Sequence, residues 1–218
     1  MINKDFVIVL AWPEGMVTAS DSWYDNLFSK NGKYRVGHSA LILINSNTKK
    51  LHYMDFGRYH TPIGYGRVRD AETDPDLGIP FLAEIKGNKI QNIEKILKDA
   101  AYKKANHGDG ALYASVLKNI NFNSAYNFAK KLQNKGAIKY GPFIISGTNC
   151  SRFVSSTIQH SSPSLTTKIR LKFPFCITAS PKRNVSICNR NYYYIDKKCF
   201  LKIKRNIFYG YFKSIERK

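Results

Sequence analysis

The stretch Tyr34 to Ile44, reading YRVGHSALILI, constrains the fold more than any other part of this sequence. Its aliphatic and β-branched residues predict a long central strand. Asn45 to Lys50 is a polar turn, and Leu51 to Phe56 returns as the antiparallel partner. A second apolar run, Phe6 to Trp12, is nearly continuous and fits a strand buried on both faces. Pro13 and Glu14 end it too soon for a signal peptide. No apolar run approaches the roughly 18 residues of a membrane span. A reduced, cytoplasmic chain is therefore expected, without an export signal or a transmembrane segment.

Further along, strands are expected over Ile79 to Ile85 and Leu112 to Phe122, and a long Gly- and Pro-containing loop over Gly57 to Pro80. A short helix fits Trp23 to Phe28. A Lys-rich surface helix fits the spacing of Ile93, Ile96, Leu97, Ala100 and Ala101. Ser124 can cap a helix that buries Ala125, Phe128, Ala129 and Leu132 and stops at Gly136. Tyr140 to Ser146 reads as extended. Thr148-Asn149-Cys150-Ser151-Arg152-Phe153-Val154 opens a last well-formed helix with Phe153, Val154 and Ile158 on its apolar side. Past Pro181 the chain turns basic and Tyr-rich, and alternation in YYYIDKKCFLKIKRNIFYGYF suggests two or three strands. Residues 1–180 are read as the main domain and 181–218 as an extension packed on it. The class is α+β.

Four cysteines, Cys150, Cys176, Cys188 and Cys199, have neither C-x-x-C nor Cys/His spacing, so no zinc site and no cofactor are expected. Cys188 and Cys199 could face each other on adjacent strands, but packed free thiols are the simpler expectation. Cys150 is the candidate for chemistry. Thr148 and Asn149 are both good N-cap residues, so Cys150 falls in the first helical turn, where dipole and backbone N–H groups stabilise a thiolate and, after attack on a carbonyl, an oxyanion held at residues 150 and 151. Gly147 permits close backbone approach.

A nucleophilic thiol needs a base. Of five histidines, His38 stands directly after Gly37 at the mouth of the strongest strand, where an imidazole is costly unless partnered. If residues 45 and 50 face each other across the turn, Asp55 lies opposite Ala40, one same-face step from His38. His52 then lies opposite Leu43. Asp55 is favoured as orienter, His52 is the alternative, and His107 is the reserve base. Arg58, Tyr59, Arg67, Arg69 and Arg152 form a candidate substrate-binding set for a carboxylate or phosphate.

Gly37-His38 followed by small and aliphatic residues, a hairpin, and much later Asn149-Cys150-x-x-Phe153-Val154 at a helix start resembles the circularly permuted papain-like hydrolases. That group includes lecithin:retinol acyltransferase and relatives of the bacterial NlpC-type cell-wall peptidases. The chain as a whole resembles uncharacterised bacterial proteins of similar length. The resemblance implies an antiparallel sheet packed against a nucleophile-bearing helix, with the His strand ahead of the Cys helix. It also implies Cys150 as nucleophile, His38 as base and a third polar residue at Asp55 or His52. The implied activity is a cysteine-dependent acyl hydrolase or acyltransferase acting on a peptide amide or a lipid ester.

The formal charge of +20, from 35 Lys and Arg against 15 Asp and Glu, describes a chain suited to an anionic surface or polymer. No zinc knuckle or RRM-type aromatic signature accompanies it, so no specific nucleic-acid role is expected. The competing expectation is a non-catalytic basic binding module on the same fold.

Overall fold

The computed structural model describes residues 4–18, 33–35, 37–141, 144–173 and 180–206. Twelve strands are present among them: β1 (Asp5–Trp12), β2 (Met16–Thr18), β3 (Lys33–Arg35), β4 (His38–Ile44), β5 (Leu51–Gly57), β6 (Tyr65–Arg69), β7 (Ile85–Lys86), β8 (Lys89–Ile90), β9 (Leu112–Ile120), β10 (Ile138–Lys139), β11 (Tyr192–Ile195) and β12 (Phe200–Ile203). The helices are α1 (Ile93–Tyr102), α2 (Phe122–Gln133), α3 (Cys150–His160), α4 (Leu165–Lys172) and α5 (Pro181–Cys188). Eight strands form one antiparallel sheet in the order β10-β6-β5-β4-β1-β9-β11-β12. The protein is thus an α+β molecule built on a large antiparallel sheet.

Central strands are covered on both faces, which is why β1 and β4 read as continuous apolar runs rather than alternating ones. On one face Val7, Val9, Leu41, Leu43, Met54 and Phe56 pack with residues of α2, α3 and α5. On the other, Phe6, Ile8, Leu10, Ala40, Ile42 and Tyr53 pack with Ile96, Leu97 and Ala100 of α1. At about 25 cal/mol per Å² of apolar surface, this two-sided burial is the main force holding the layers together.

The hairpin has Ala40 opposite Asp55 and Leu43 opposite His52, the register that simple counting from the turn gives. Elsewhere the expectations need correcting. The run from Tyr34 is broken: β3 ends at Arg35, and β4 begins at His38 after Gly37 at φ +69°. The Gly37 N–H donates to Gly15 O at 2.9 Å, and a Cβ there would lie 2.4 Å from Trp12 O. Only glycine fits both the dihedral and the space.

The long loop after Gly57 contains β6, which pairs Asp55 with Arg69. Ile79 to Ile85 is irregular except at Ile85, which starts the small β7–β8 hairpin. Helix α2 is capped by Asn121, whose Oδ1 accepts the Ser124 N–H at 2.9 Å, rather than by Ser124 itself. The basic C-terminal segment opens with a helix, α5, before its strands, and β11 joins the main sheet by pairing with β9. Cys188 ends that helix and Cys199 lies between β11 and β12, so they do not face each other across strands. Cys150 and Cys188 are free thiols, and burial pushes Cys188 up to about 12. Cys176 and the helix expected at 23–28 lie outside the described residues. No helix among the described residues is long and apolar enough to cross a membrane.

Candidate active site

Cys150 is the first residue of α3 and is 6% exposed. Asn149 is extended (φ −138°, ψ 175°), and its Oδ1 accepts the Arg152 N–H at 2.8 Å, the N-cap bond its residue type favours. Phe153, Val154 and Ile158 anchor the helix on the sheet. From α5, the Asn184 amide donates to Ser151 O at 2.8 Å and to Ser151 Oγ at 2.9 Å, locking the first turn from behind. Ahead of the helix the chain is tightly folded. Thr148 N–H reaches Lys139 O at 2.9 Å, and a Cβ on Gly147 would come within 2.3 Å of that oxygen. Arg152 donates to Ile144 O at 2.9 Å and Gly141 O at 3.4 Å, so its guanidinium holds the approach loop.

His38 opens β4 opposite Trp12 of β1, and the two rings stack at 5.8 Å. Its Nε2–H donates to Asp55 Oδ2 at 3.0 Å, and the Cys150 thiol lies close enough to act on its ionisation. With Nε2 on Asp55, Nδ1 is the nitrogen left to face sulfur. Burial alone would push the imidazole down. The hydrogen bond to Asp55, with the charges of Asp55 and Cys150, outweighs it and raises His38 to about 9.

Asp55 is fully buried. Besides His38 it accepts Arg69 Nε at 2.9 Å on Oδ1, Arg69 Nη2 at 2.6 Å on Oδ2, and the Tyr53 hydroxyl at 3.1 Å on Oδ2. Burial favours its neutral form, but the bonds from His38 and Arg69 prevail and hold the carboxyl below its ordinary value. His52 is not at this cluster: its ring packs 5.3 Å from Phe122 and 5.1 Å from Tyr126, and burial followed by Lys50 lowers its pKa.

The remaining candidates are spread around the cleft. Arg67 is paired with Asp74 at 2.7 and 2.8 Å and donates to Tyr59 O, while Arg69 is committed to Asp55. Arg58 lies over the Tyr140 ring at 5.3 Å. His107, in the left-handed conformation at φ 51°, stacks on Tyr59 at 4.5 Å. Tyr59 is stacked on its other contact by Arg69, 3.7 Å from the ring centroid.

Three participants escaped the sequence reading. Trp12 looked like ordinary core. Tyr53 alternates with Asp55 on β5, a signal that was present. Tyr140 lies within electrostatic reach of the Cys150 thiol, and its ring stacks on Phe56 at 5.8 Å; nothing in its local pattern marks it. Burial, then the charge on Cys150, raises the Tyr140 phenol well above its ordinary value. His38, Arg58, Tyr59, His107 and Tyr140 all line a cleft of about 870 Å³.

The family described as "Type VI secretion system effector TseH-like" matches residues 7–167, a span that includes Trp12, His38, Asp55, Arg69, Tyr140 and Cys150. The chain belongs to this TseH-like family. The crystal structure of a type VI secretion system effector, TseH, superposes with a TM-score of 0.62 over 92% of this chain and 98% of that one. At 20% identity that likeness carries the fold. No curated protein matches the chain. Among the described residues of this TseH-like protein, no group of three or more His, Cys, Asp or Glu could hold a metal ion.

Proposed function

We propose that this TseH-like chain is a cysteine-dependent acyl hydrolase of the permuted papain-like type, with Cys150 as nucleophile, His38 as base and Asp55 as orienter. The observation that carries this reading is a single buried imidazole bonded to a buried carboxylate and close enough to the thiol at a helix head for the two to influence each other's charge. His38 Nδ1 takes the thiol proton, and the thiolate attacks the substrate carbonyl carbon. Negative charge on the carbonyl oxygen is met by N–H groups at the head of α3, Cys150 first, and by the Tyr140 hydroxyl. The imidazolium then protonates the leaving amine or alcohol as the C–N or C–O bond breaks, leaving a thioester. Water, deprotonated by the neutral ring, attacks the thioester carbonyl; the C–S bond breaks, the carboxylic acid leaves and the imidazolium returns its proton to sulfur. An acceptor amine or alcohol in place of water would make the same site a transferase.

Peptide amides, cell-wall peptides included, and lipid esters remain the substrate classes in view. The family description supports delivery as a type VI effector, which would take the chain out of the cytoplasm without a signal peptide. Arg58 and Tyr59, which line the cleft, are the members of the candidate set best placed to meet substrate. Arg67, Arg69 and Arg152 are engaged by protein partners.

The test is alkylation of Cys150 by iodoacetamide as a function of pH, with His38→Ala as comparison. An enzyme gives fast labelling well below the ordinary thiol value of about 8.5, and the histidine change abolishes it. Labelling that rises only near 8.5 and ignores His38 would favour the basic binding module, whose support is the +20 charge.

A further inference from the structure

The proposed chemistry asks two opposed things of His38. It must hold a proton firmly enough to keep sulfur ionised, and then release that proton to a leaving group. A buried carboxylate with no other cation would satisfy the first demand too well, because attraction between full charges grows steeply where water is excluded. Here the carboxylate has a second cation. Arg69 is 3% exposed and grips Asp55 through two donors, touching both oxygens, one of which also receives His38. Strand register imposes this arrangement: Arg69 is directly opposite Asp55 on β6, while His38 is the diagonal neighbour on β4.

The guanidinium is walled off as well. One more donor reaches Ala105 O at 3.2 Å, and the Tyr59 ring lies between it and His107 at the cleft wall. The other titratable groups facing this cluster are Tyr53, hydrogen-bonded to Asp55, and Asp74, which is bridged by Arg67 but also feels Arg69. Cys150 faces His38 from α3.

We propose that Arg69 is a positioning residue that shares the charge of Asp55 with His38, limiting how tightly the imidazolium is held so that it can act as a proton donor. This rests on the Cys150–His38 reading above. Its role differs from the substrate-binding one first expected for Arg69, since its donors point into the protein.

The test needs no substrate. Iodoacetate is anionic, so its reaction with Cys150 falls on the alkaline side as the imidazolium loses its proton, and that limb reports His38. Arg69→Gln moves the limb upward by roughly one pH unit, the size expected when a unit charge a few ångströms from the cluster is removed. Arg69→Lys, which keeps the charge, returns the limb to within a few tenths of the parent position. A limb that stays in place or moves down in Arg69→Gln overturns the proposal: Arg69 would then be scaffold alone.

Arg69→Gln leaves a buried carboxylate less compensated and can fail to fold. A second comparison avoids that. Asp55→Asn leaves Arg69 as an unbalanced cation near His38, whereas Asp55→Asn with Arg69→Met leaves neither charge. The limb of the single variant falls below that of the double by a similar amount; coincident limbs refute the idea. Failure of the underlying reading looks different, because the parent protein itself would then show no alkaline limb tied to His38.

Discussion

His38 is held at about 9 in the folded chain against an ordinary value near 6.5, and that gap has a thermodynamic sign. The folded state binds the proton more tightly, so this contribution is fully present below pH 6.5 and is lost as pH rises through 9. Its size is roughly 3 kcal/mol at most, from 1.36 kcal/mol per pH unit. In a Cys150→Ser background, where no thiol proton offsets the one on the imidazole, thermal melts between pH 6.5 and 9.5 are expected to show falling stability, and His38→Asn to flatten most of that slope. A Cys150→Ser curve that is already flat would contradict the assignment. Tyr140 supplies a complementary measurement. Tyr140→Phe is expected to slow hydrolysis of an activated ester about 10²-fold while leaving iodoacetamide labelling at pH 9 within a few-fold of the parent, the pattern of a lost oxyanion donor. Equal losses in both assays would instead make Tyr140 a partner of the thiolate.

At the scale of elements, what could be read in advance was whatever local chemistry dictates. The hairpin of β4 and β5 was legible because one polar turn joins two strongly apolar runs, and two-residue periodicity then fixes which side chains share a face. That register brought Asp55, and not His52, next to His38. The start of α3 was legible because Asn149 is a strong cap followed by a helical apolar stripe. Strand β6 was hidden. Its residues YGRVR sit in a Gly- and Pro-containing stretch, and its charged side chains look solvated although Arg69 is buried against the carboxylate of Asp55 on the preceding strand. The break at Gly37 was equally hidden, since a glycine inside an apolar run signals little until Gly15 and Trp12 are brought to it. Gly37→Ala is expected to destabilise the fold by about 2 kcal/mol or more, combining a left-handed dihedral with backbone overlap. Asn149→Ala should cost about 1 kcal/mol and Asn149→Asp much less. Chemical denaturation midpoints of the three variants check both statements.

For the whole molecule, composition described the surface better than the architecture. Nothing in the basic, Tyr-rich C-terminal segment said whether it would build a separate lobe. Val185 and Ile187 of α5 are in the main core, and β11 covers the edge of β9. Truncation after residue 180 therefore uncovers that edge together with part of the core, and the shortened protein is expected to aggregate or melt far below the full chain. A soluble truncated form with an unchanged melting temperature would refute this. The two halves of the proposed chemistry also lie on opposite sides of a long stretch of chain, His38 and Asp55 within one local hairpin and Cys150 on a helix that meets it only by docking on the sheet. A nascent or threaded polypeptide can form the hairpin and still be chemically silent, because its sulfur has no acceptor within reach. Tertiary closure thus serves as a safety catch: reactivity switches on with assembly of the core and is withdrawn when that core opens.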